Sequence, residues 1–599
     1  MIGKRIMKTK ALLLLVCFEL SATPWKEIQT PQEIDFIINF MVAPFENVGF
    51  SYKGEGNEIL PLSYYNTPEY WGEYVCKLPN TDCTVIDQYN SQDYSLRPLQ
   101  SKKSPGGDLQ VERVNVNYGI NIYDAACWQI ALAVAAHAGK RSPSGESLYN
   151  LANNVNKERA DSTNRAITKA DGTFTYNGTK ITNPSQAYSY RMLTRSWLSK
   201  DPFMGTTYAK YIKAENLPKD PEYKEGLISW LDWKPITGEN AWAFLIGPIQ
   251  AAYLEHVRPG KKQSIPSDLI GIQNAINVLY AFKAMQSPIG GIYYATLGSL
   301  GNVGSEPVNP YEISVENNAS ALAGLLMLQQ LLALTTPSAE ITQAQTVIKS
   351  MIYGDNQTKG LLSFFKNYAW DKKAGLFIQG GIVGNNSWAP ALEPKAVDVS
   401  TWGVTVLGQP LLDSWFGFGA AYKVWLNTKK WGGFYGPDGE LWGVGYSDRD
   451  GNGPRSQGII SAEWTAGAIN MIRALITQYN QIATSTKSPK NQKQRAATII
   501  ADLQKDHVSM TKNIMSLRHD NYQTNNAYKN VRPANYGQLM KIPSNKLSFL
   551  YASKRYFIPF GWFANPLPST TSTAWIIMLN YNFNPFSLGG GYEANFTAQ

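Results

Sequence analysis

One short pattern recurs along this chain and restricts the folds open to it. The clearest copy is Ser314-Val315-Glu316-Asn317-Asn318-Ala319-Ser320-Ala321-Leu322. A carboxylate stands just ahead of small and polar residues, and an apolar run follows. Asp124-Ala125-Ala126-Cys127-Trp128, Glu239-Asn240-Ala241-Trp242, Asp398-Val399-Ser400-Thr401-Trp402 and Glu463-Trp464-Thr465-Ala466 repeat it. A sixth copy, Thr571-Ser572-Thr573-Ala574-Trp575, carries hydroxyls in place of the acid. Each copy predicts the N-terminus of a buried helix: a cap or first-turn acid, then residues small enough for close packing.

The runs behind these starts are almost free of charge. Helices that are apolar all round belong in the interior of a large protein or in a membrane. No apolar run is long enough to span a bilayer, which places the six in a protein interior. Between them come stretches charged on one face: Ile265 to Met285, Ala339 to Tyr353, Leu411 to Trp425 and Asn491 to Arg518. Asn150 to Asn183 reads as polar loop. Gly290 to Tyr294 and Gly375 to Ile378 read as short strands, and Trp431 to Asp450 as a hairpin or long loop. Buried and amphipathic helices alternating six times predict a mainly α fold. The expected form is an (α/α)6 toroid of alternating inner and outer helices, with short strands and loops over one end. The inner N-termini then converge on that end.

At 599 residues the chain can bury a large core. The repetition assigns residues 111–599 to one toroidal domain. Residues 23–110, with scattered Pro, Tyr, Asn and Gly, read as an irregular N-terminal segment with one short helix from Pro31 to Met41. Residues 1–22 read as a secretory signal peptide. Lys4, Arg5, Lys8 and Lys10 precede the apolar stretch Ala11 to Phe18, and Ser21-Ala22 offers small residues for cleavage. A secreted or periplasmic protein without stable membrane insertion is expected. Loss of the leader lowers the formal charge from +9 to about +6. No Lys/Arg block is dense enough to predict a nucleic-acid partner.

Three cysteines then remain. Cys76 and Cys83 could bridge in an oxidising compartment, and Cys127, on an apolar helix, reads as a buried thiol. His137, His256, His507 and His519 share no metal spacing.

The six starts, headed by ENNA at 316–319, DVSTWG at 398–403 and AEWTAG at 462–467, resemble those of the six-hairpin glycosidase superfamily. The resemblance covers residues of roughly 111 to 585 and lies in architecture and pattern. It implies that acids at the funnel-shaped end of the toroid act on glycosidic bonds, with inversion as the expected outcome. The implied function is an exported, monomeric glycoside hydrolase acting on a poly- or oligosaccharide. A polysaccharide lyase on a similar toroid and a non-catalytic glycan-binding surface protein are the alternatives.

Glycoside hydrolysis needs one carboxylic acid to protonate the leaving oxygen and a second carboxylate as base or nucleophile. The candidates are Asp124, Glu239, Glu316, Asp398 and Glu463, each of which could instead be only a helix-capping acid. An acid held protonated by burial or by a neighbouring carboxylate suits the first role. Glu316 or Glu463 is the expected acid. Asp398, beside Ser400 and Thr401, and Asp124 are the expected bases. Trp128, Trp242, Trp402, Trp464 and Trp575, just past the helix heads, and Trp562, in a loop, are candidate sugar-stacking platforms. No cofactor is implied, apart from an optional structural calcium. Asp448, Asp450 and Asn452 match the opening of a calcium loop, but Ile459 stands where its closing acid belongs.

Overall fold

The computed structural model describes residues 25, 28–44, 47–53, 59–65, 119–163, 173–176, 179–182, 192–194, 236–257, 264–295, 309, 311–384, 387–532, 536–560 and 562–597. The expected signal peptide, Cys76 and Cys83 lie outside them.

Among the described residues, twelve helices alternate between an outer and an inner layer. The outer helices are α1 (Pro31–Val42), α3 (Leu148–Thr163), α5 (Ile270–Ala284), α7 (Ala339–Tyr353), α9 (Ala420–Gly432) and α11 (Lys490–Asn513). The inner ones begin with α2 (Ile122–His137). Next comes α4, a composite of Thr237–Ala241, Trp242–Ile246 and Gly247–His256. α6 (Val315–Leu332), α8 (Val397–Leu407), α10 (Ala462–Thr484) and α12 (Thr570–Asn580) complete the set. Each inner helix packs on the next, and α12 packs back on α2, so the inner ring is closed. The fold is an (α/α)6 toroid.

Sequence pattern separates the layers. In α6 every residue from Val315 to Leu328 is buried. In α7 only Ile341, Ala344, Ile348, Met351 and Ile352 are, one stripe at helical spacing. Burial of each large apolar side chain in that stripe contributes about 1.5–3 kcal/mol. That holds a helix which would be marginal alone.

Three predicted boundaries shift. The stretch expected as polar loop from Asn150 begins inside α3, whose Leu148, Leu151, Ala152 and Val155 form a buried stripe. The helix expected from Leu411 to Trp425 breaks at Gly417 and Gly419, with φ of +95° and +88°. Such angles suit glycine. The Asp413 carboxylate then accepts the Gly419 and Ala421 N–H groups at 2.9 and 3.1 Å and starts α9 afresh. In α4, Pro248 has no N–H to donate. The turn before it widens into a π segment, with Gly247 N–H reaching the Trp242 carbonyl.

The strands are short and serve the helix mouths. Six inner helices are preceded by an extended residue paired to a loop segment. Asn121 pairs with Met192, Ile236 with Ala295, Ser314 with Gly380 and Ala396 with Ser447. Ser461 pairs with both Val444 and Ala552, and Ser569 with both Phe549 and Tyr64. This belt fixes where each inner helix begins. Of the expected strands, Leu376–Phe377 forms one, and Trp431 to Asp450 contains the hairpin Gly433–Tyr435 with Leu441–Val444. Gly290 to Tyr294 holds only the isolated bridge of Ile292 with Gln286.

The two ends of the chain meet. α1 packs on α12, and the Ile28 and Gln29 N–H groups donate to Asn580 Oδ1 at 3.0 and 2.8 Å. Trp25 lies against His507, with ring centroids 4.4 Å apart. No helix of the described residues is long and apolar enough to cross a membrane.

Candidate active site

The acids of the repeated pattern meet at the belt end of the toroid, and two of them, Glu316 and Glu463, are relieved of capping. Ser314, Ser461 and Ser569 are the N-caps of α6, α10 and α12. Their hydroxyls accept the N–H groups of Asn317, Trp464 and Ser572 at 3.3, 3.3 and 3.4 Å. Glu316 and Glu463 therefore stand at the second helical position with their carboxylates directed to other partners. Asp398 holds the same position in α8, and Thr571 in α12.

Two rows of contacts cross the ring. The Tyr123 hydroxyl, from α2, lies 3.5 and 3.4 Å from the two Glu316 carboxylate oxygens. The Tyr123 ring also packs near Trp242 and Trp402, with centroids at 6.2 and 6.4 Å. Below the acids, the axis of the toroid is filled by aromatic rings. Trp242, Trp402 and Trp575 come from alternate inner helices and gather around Phe586 at centroid distances of 5.4, 5.4 and 6.3 Å. The plug closes the toroid and forms the floor beneath the carboxylates.

Glu316 is the best-defined carboxylate. Oε2 accepts the Asn317 side-chain amide at 2.6 Å and Oε1 accepts the Ser320 hydroxyl at 2.9 Å. The Asn317 amide is oriented from behind, because its Oδ1 takes the Gly238 N–H at 2.6 Å. The Ser320 hydroxyl oxygen takes the Trp242 indole N–H at 3.1 Å. Burial pushes the Glu316 carboxyl up to about 7, against the pull of Ser320, Asn317 and Tyr123. Burial also raises Asp398 well above the usual carboxylate range, and the Glu316 charge raises it further. Glu463 is raised well above its ordinary value by burial first, then by the charges of Asp124 and Asp398. Asp398 and Glu463 retain partial exposure, Asp124 and Glu316 are 8% exposed, and Glu239 has none.

All five predicted acids thus stand at inner-helix mouths, and four of them feel one another's charge. Glu239, wholly buried in the first turn of α4, is out of a ligand's reach. The expected support of Asp398 by Ser400 and Thr401 takes another form. Its carboxylate accepts the Val399 N–H at 2.7 Å, while the Thr401 hydroxyl turns to the Asp398 main-chain carbonyl at 3.4 Å.

The tryptophans are a correction. Trp128, Trp242 and Trp575 are fully buried, and Trp402 and Trp464 are 5% and 6% exposed. Trp128 faces outward and donates to the Met41 carbonyl of α1 at 3.1 Å. Trp464 packs edge-on against Tyr446 at 4.8 Å. These rings build the core and offer no face to a sugar. The Trp562 side chain lies outside the described residues. Tyr123 was missed in sequence because it precedes the acid of its own copy, and only the closed ring brings it to Glu316.

The calcium-like loop is a second correction. Asp450 accepts N–H groups of Tyr446 and Ser447 and the Ser447 hydroxyl, the last at 2.6 Å. Asn452 Oδ1 accepts the Ile459 N–H at 2.9 Å. The Asp448 oxygens accept the Lys395 N–H and Nζ at 3.0 and 3.3 Å. Donors point at the oxygens a cation would need, so this loop does not fit a calcium site. Among the described residues no cluster of three or more His, Cys, Asp or Glu could hold a metal. The histidines bond elsewhere: His137 to the Leu254 carbonyl, His256 to the Ala252 carbonyl, His507 to Arg473 and His519 to Ser548.

No family model and no curated protein matches the chain. Solved structures similar to it include the glucoamylase of Saccharomycopsis fibuligera, at 9% identity over 84% of this chain and 96% of that one, with a TM-score of 0.40. The cellobiose 2-epimerase of Bacillus thermoamylovorans is 9% identical over 78% and 88%, with a TM-score of 0.34. A GH76 α-1,6-mannanase of Salegentibacter is 12% identical over 71% and 97%, with a TM-score of 0.30. Scores this low leave the chemistry to be read from the geometry of this chain.

Proposed function

We propose that the protein is an exported glycoside hydrolase, acting on a poly- or oligosaccharide by carboxylate acid–base catalysis. The observation that carries this reading is the set of helix-mouth carboxylates freed from capping by Ser314 and Ser461 and held in one another's field. Hydrolysis of a glycosidic bond needs two carboxyl groups in opposite protonation states at one site. Glu463, pushed up by burial and by two neighbouring carboxylates, suits the general acid. Glu316, surrounded by hydrogen-bond donors, suits the base. Asp124, the first of the charges that raise Glu463, helps to keep the acid protonated.

Purified protein incubated with a panel of neutral and acidic glycans, with detection of new reducing ends, tests the reading. Turnover that Glu463→Gln and Glu316→Gln each lower by orders of magnitude is the expected result. Full activity in both variants refutes the assignment. Release of the inverted anomer, expected from the six-hairpin resemblance, is read by NMR of the first-formed product.

One observation favours a lyase as second reading: Tyr123, once its phenolic proton has passed to the adjacent Glu316 carboxylate, takes the proton next to a uronate, and the bond to the leaving sugar oxygen breaks as the double bond forms. Lyase products carry a double bond that absorbs in the near ultraviolet, and hydrolase products do not.

A further inference from the structure

Glu316 is held by two relays, and both begin on α4. In the first, Gly238 N–H donates to Asn317 Oδ1 at 2.6 Å, and Asn317 Nδ2 donates to Glu316 Oε2 at 2.6 Å. In the second, Trp242 Nε1–H donates to Ser320 Oγ at 3.1 Å, and the Ser320 hydroxyl donates to Glu316 Oε1 at 2.9 Å. The first member of each relay is a group that can only donate: a main-chain N–H and an indole N–H. The polarity of each middle member is therefore fixed. Asn317 must present its amide hydrogens to the carboxylate, and Ser320 must present its proton. Glu316 meets two obligate donors, one per oxygen, and the Tyr123 hydroxyl adds a third near both.

The relays also need the space that Gly238 leaves. A Cβ there would collide with the Tyr123 hydroxyl and the Asn317 side chain at once. Trp242 is set at its height by the π segment it opens, which is widened ahead of Pro248.

We propose that α4 favours the ionised form of Glu316 against its burial, with Gly238, Asn317, Trp242 and Ser320 as positioning residues that present donors to this carboxylate. The proposal deepens the hydrolase reading, in which Glu316 is the base, and rests on it for its catalytic meaning. Its physical content needs no substrate. Removal of a donor to the ionised form must raise the carboxyl pKa. A hydrogen bond to a charged group corresponds to a shift of about one pH unit.

The test is the titration of Glu316, followed by NMR in protein carrying 13C-carboxyl glutamate, with its resonance assigned by loss in Glu316→Gln. Ser320→Ala and Trp242→Phe should each move the midpoint up by about one pH unit. Ser320→Thr, which keeps the hydroxyl, should restore it. Trp242→Phe leaves Ser320 in place, so a shift there shows transmission through the relay. An unmoved midpoint in both Ser320→Ala and Trp242→Phe overturns the proposal. The glycan screen with Glu316→Gln fails or succeeds separately and judges the hydrolase reading alone.

Discussion

Ser461 and Glu463 divide two tasks that one residue could have performed. The Ser461 hydroxyl accepts the Trp464 N–H at 3.3 Å and closes the start of α10, which leaves the Glu463 carboxylate in the field of Asp124 and Asp398. Stability and chemistry should therefore separate by mutation. Ser461→Ala removes a cap and should cost about 1 kcal/mol of stability, with activity retained in the folded fraction. Glu463→Gln should abolish turnover and leave the urea midpoint unchanged or higher.

The raised carboxyls make stability fall toward alkaline pH. Glu316 titrates near 4.5 when unfolded and about 7 when folded. The folded state then holds a proton that the unfolded chain has released, so stability drops as pH rises from 4.5 to 7. This site alone accounts for about 3 kcal/mol. His507 acts oppositely: burial and Arg473 lower it from 6.5 to about 3, so stability rises with pH across that interval. Above pH 6.5 the His507 effect is spent. Denaturation at pH 6.5 and pH 8 should show lower stability at pH 8, and Glu316→Gln should reduce the difference.

Gly238 tolerates no side chain. Gly238→Ala forces its methyl against Tyr123 and Asn317. The expected cost is about 1–3 kcal/mol of stability. Loss of activity should exceed tenfold, because both displaced groups hold Glu316. The same substitution at Gly139, whose Cβ would meet nothing within 4 Å but whose φ of +85° suits glycine, should cost stability and leave activity intact.

Chelation should leave the 448–452 loop untouched, because its oxygens are already taken by N–H donors. Melting curves with and without a chelator should superimpose. Asp450→Ala, by contrast, strips acceptors from Tyr446 and Ser447 and should lower stability by about 1–3 kcal/mol.

The toroid was legible in sequence because its two helix classes differ in burial. The unbroken buried run of α6 and the single stripe of α7 print different periods in the chain. The positions of Glu316, Asp398 and Glu463 were legible for the same reason. Their division of labour was not. Tyr123 reaches Glu316 from 193 residues away, and the Gly238 and Trp242 relays reach α6 from α4. Nothing local marks those pairings. The tryptophans misled because the signature of a stacking platform and that of an axial plug coincide in sequence. Trp242, Trp402 and Trp575 are separated from solvent only by ring closure. The break before α9 was hidden too, since the Asp413 contacts that stabilise it are made through the turn itself.

The join between α1 and α12 sets the order in which this molecule can be finished. Gln29 and Asn580 bond across 551 positions of sequence. Until the last inner helix exists, α1 has no wall to lie against, and the hairpins between form an open arc with two raw edges. Distant joins of this kind form slowly, because chain entropy is lost before the contact is gained. A ring clasped between its first and last helices therefore stays loose while it is being made. Strain should open it first at the clasp.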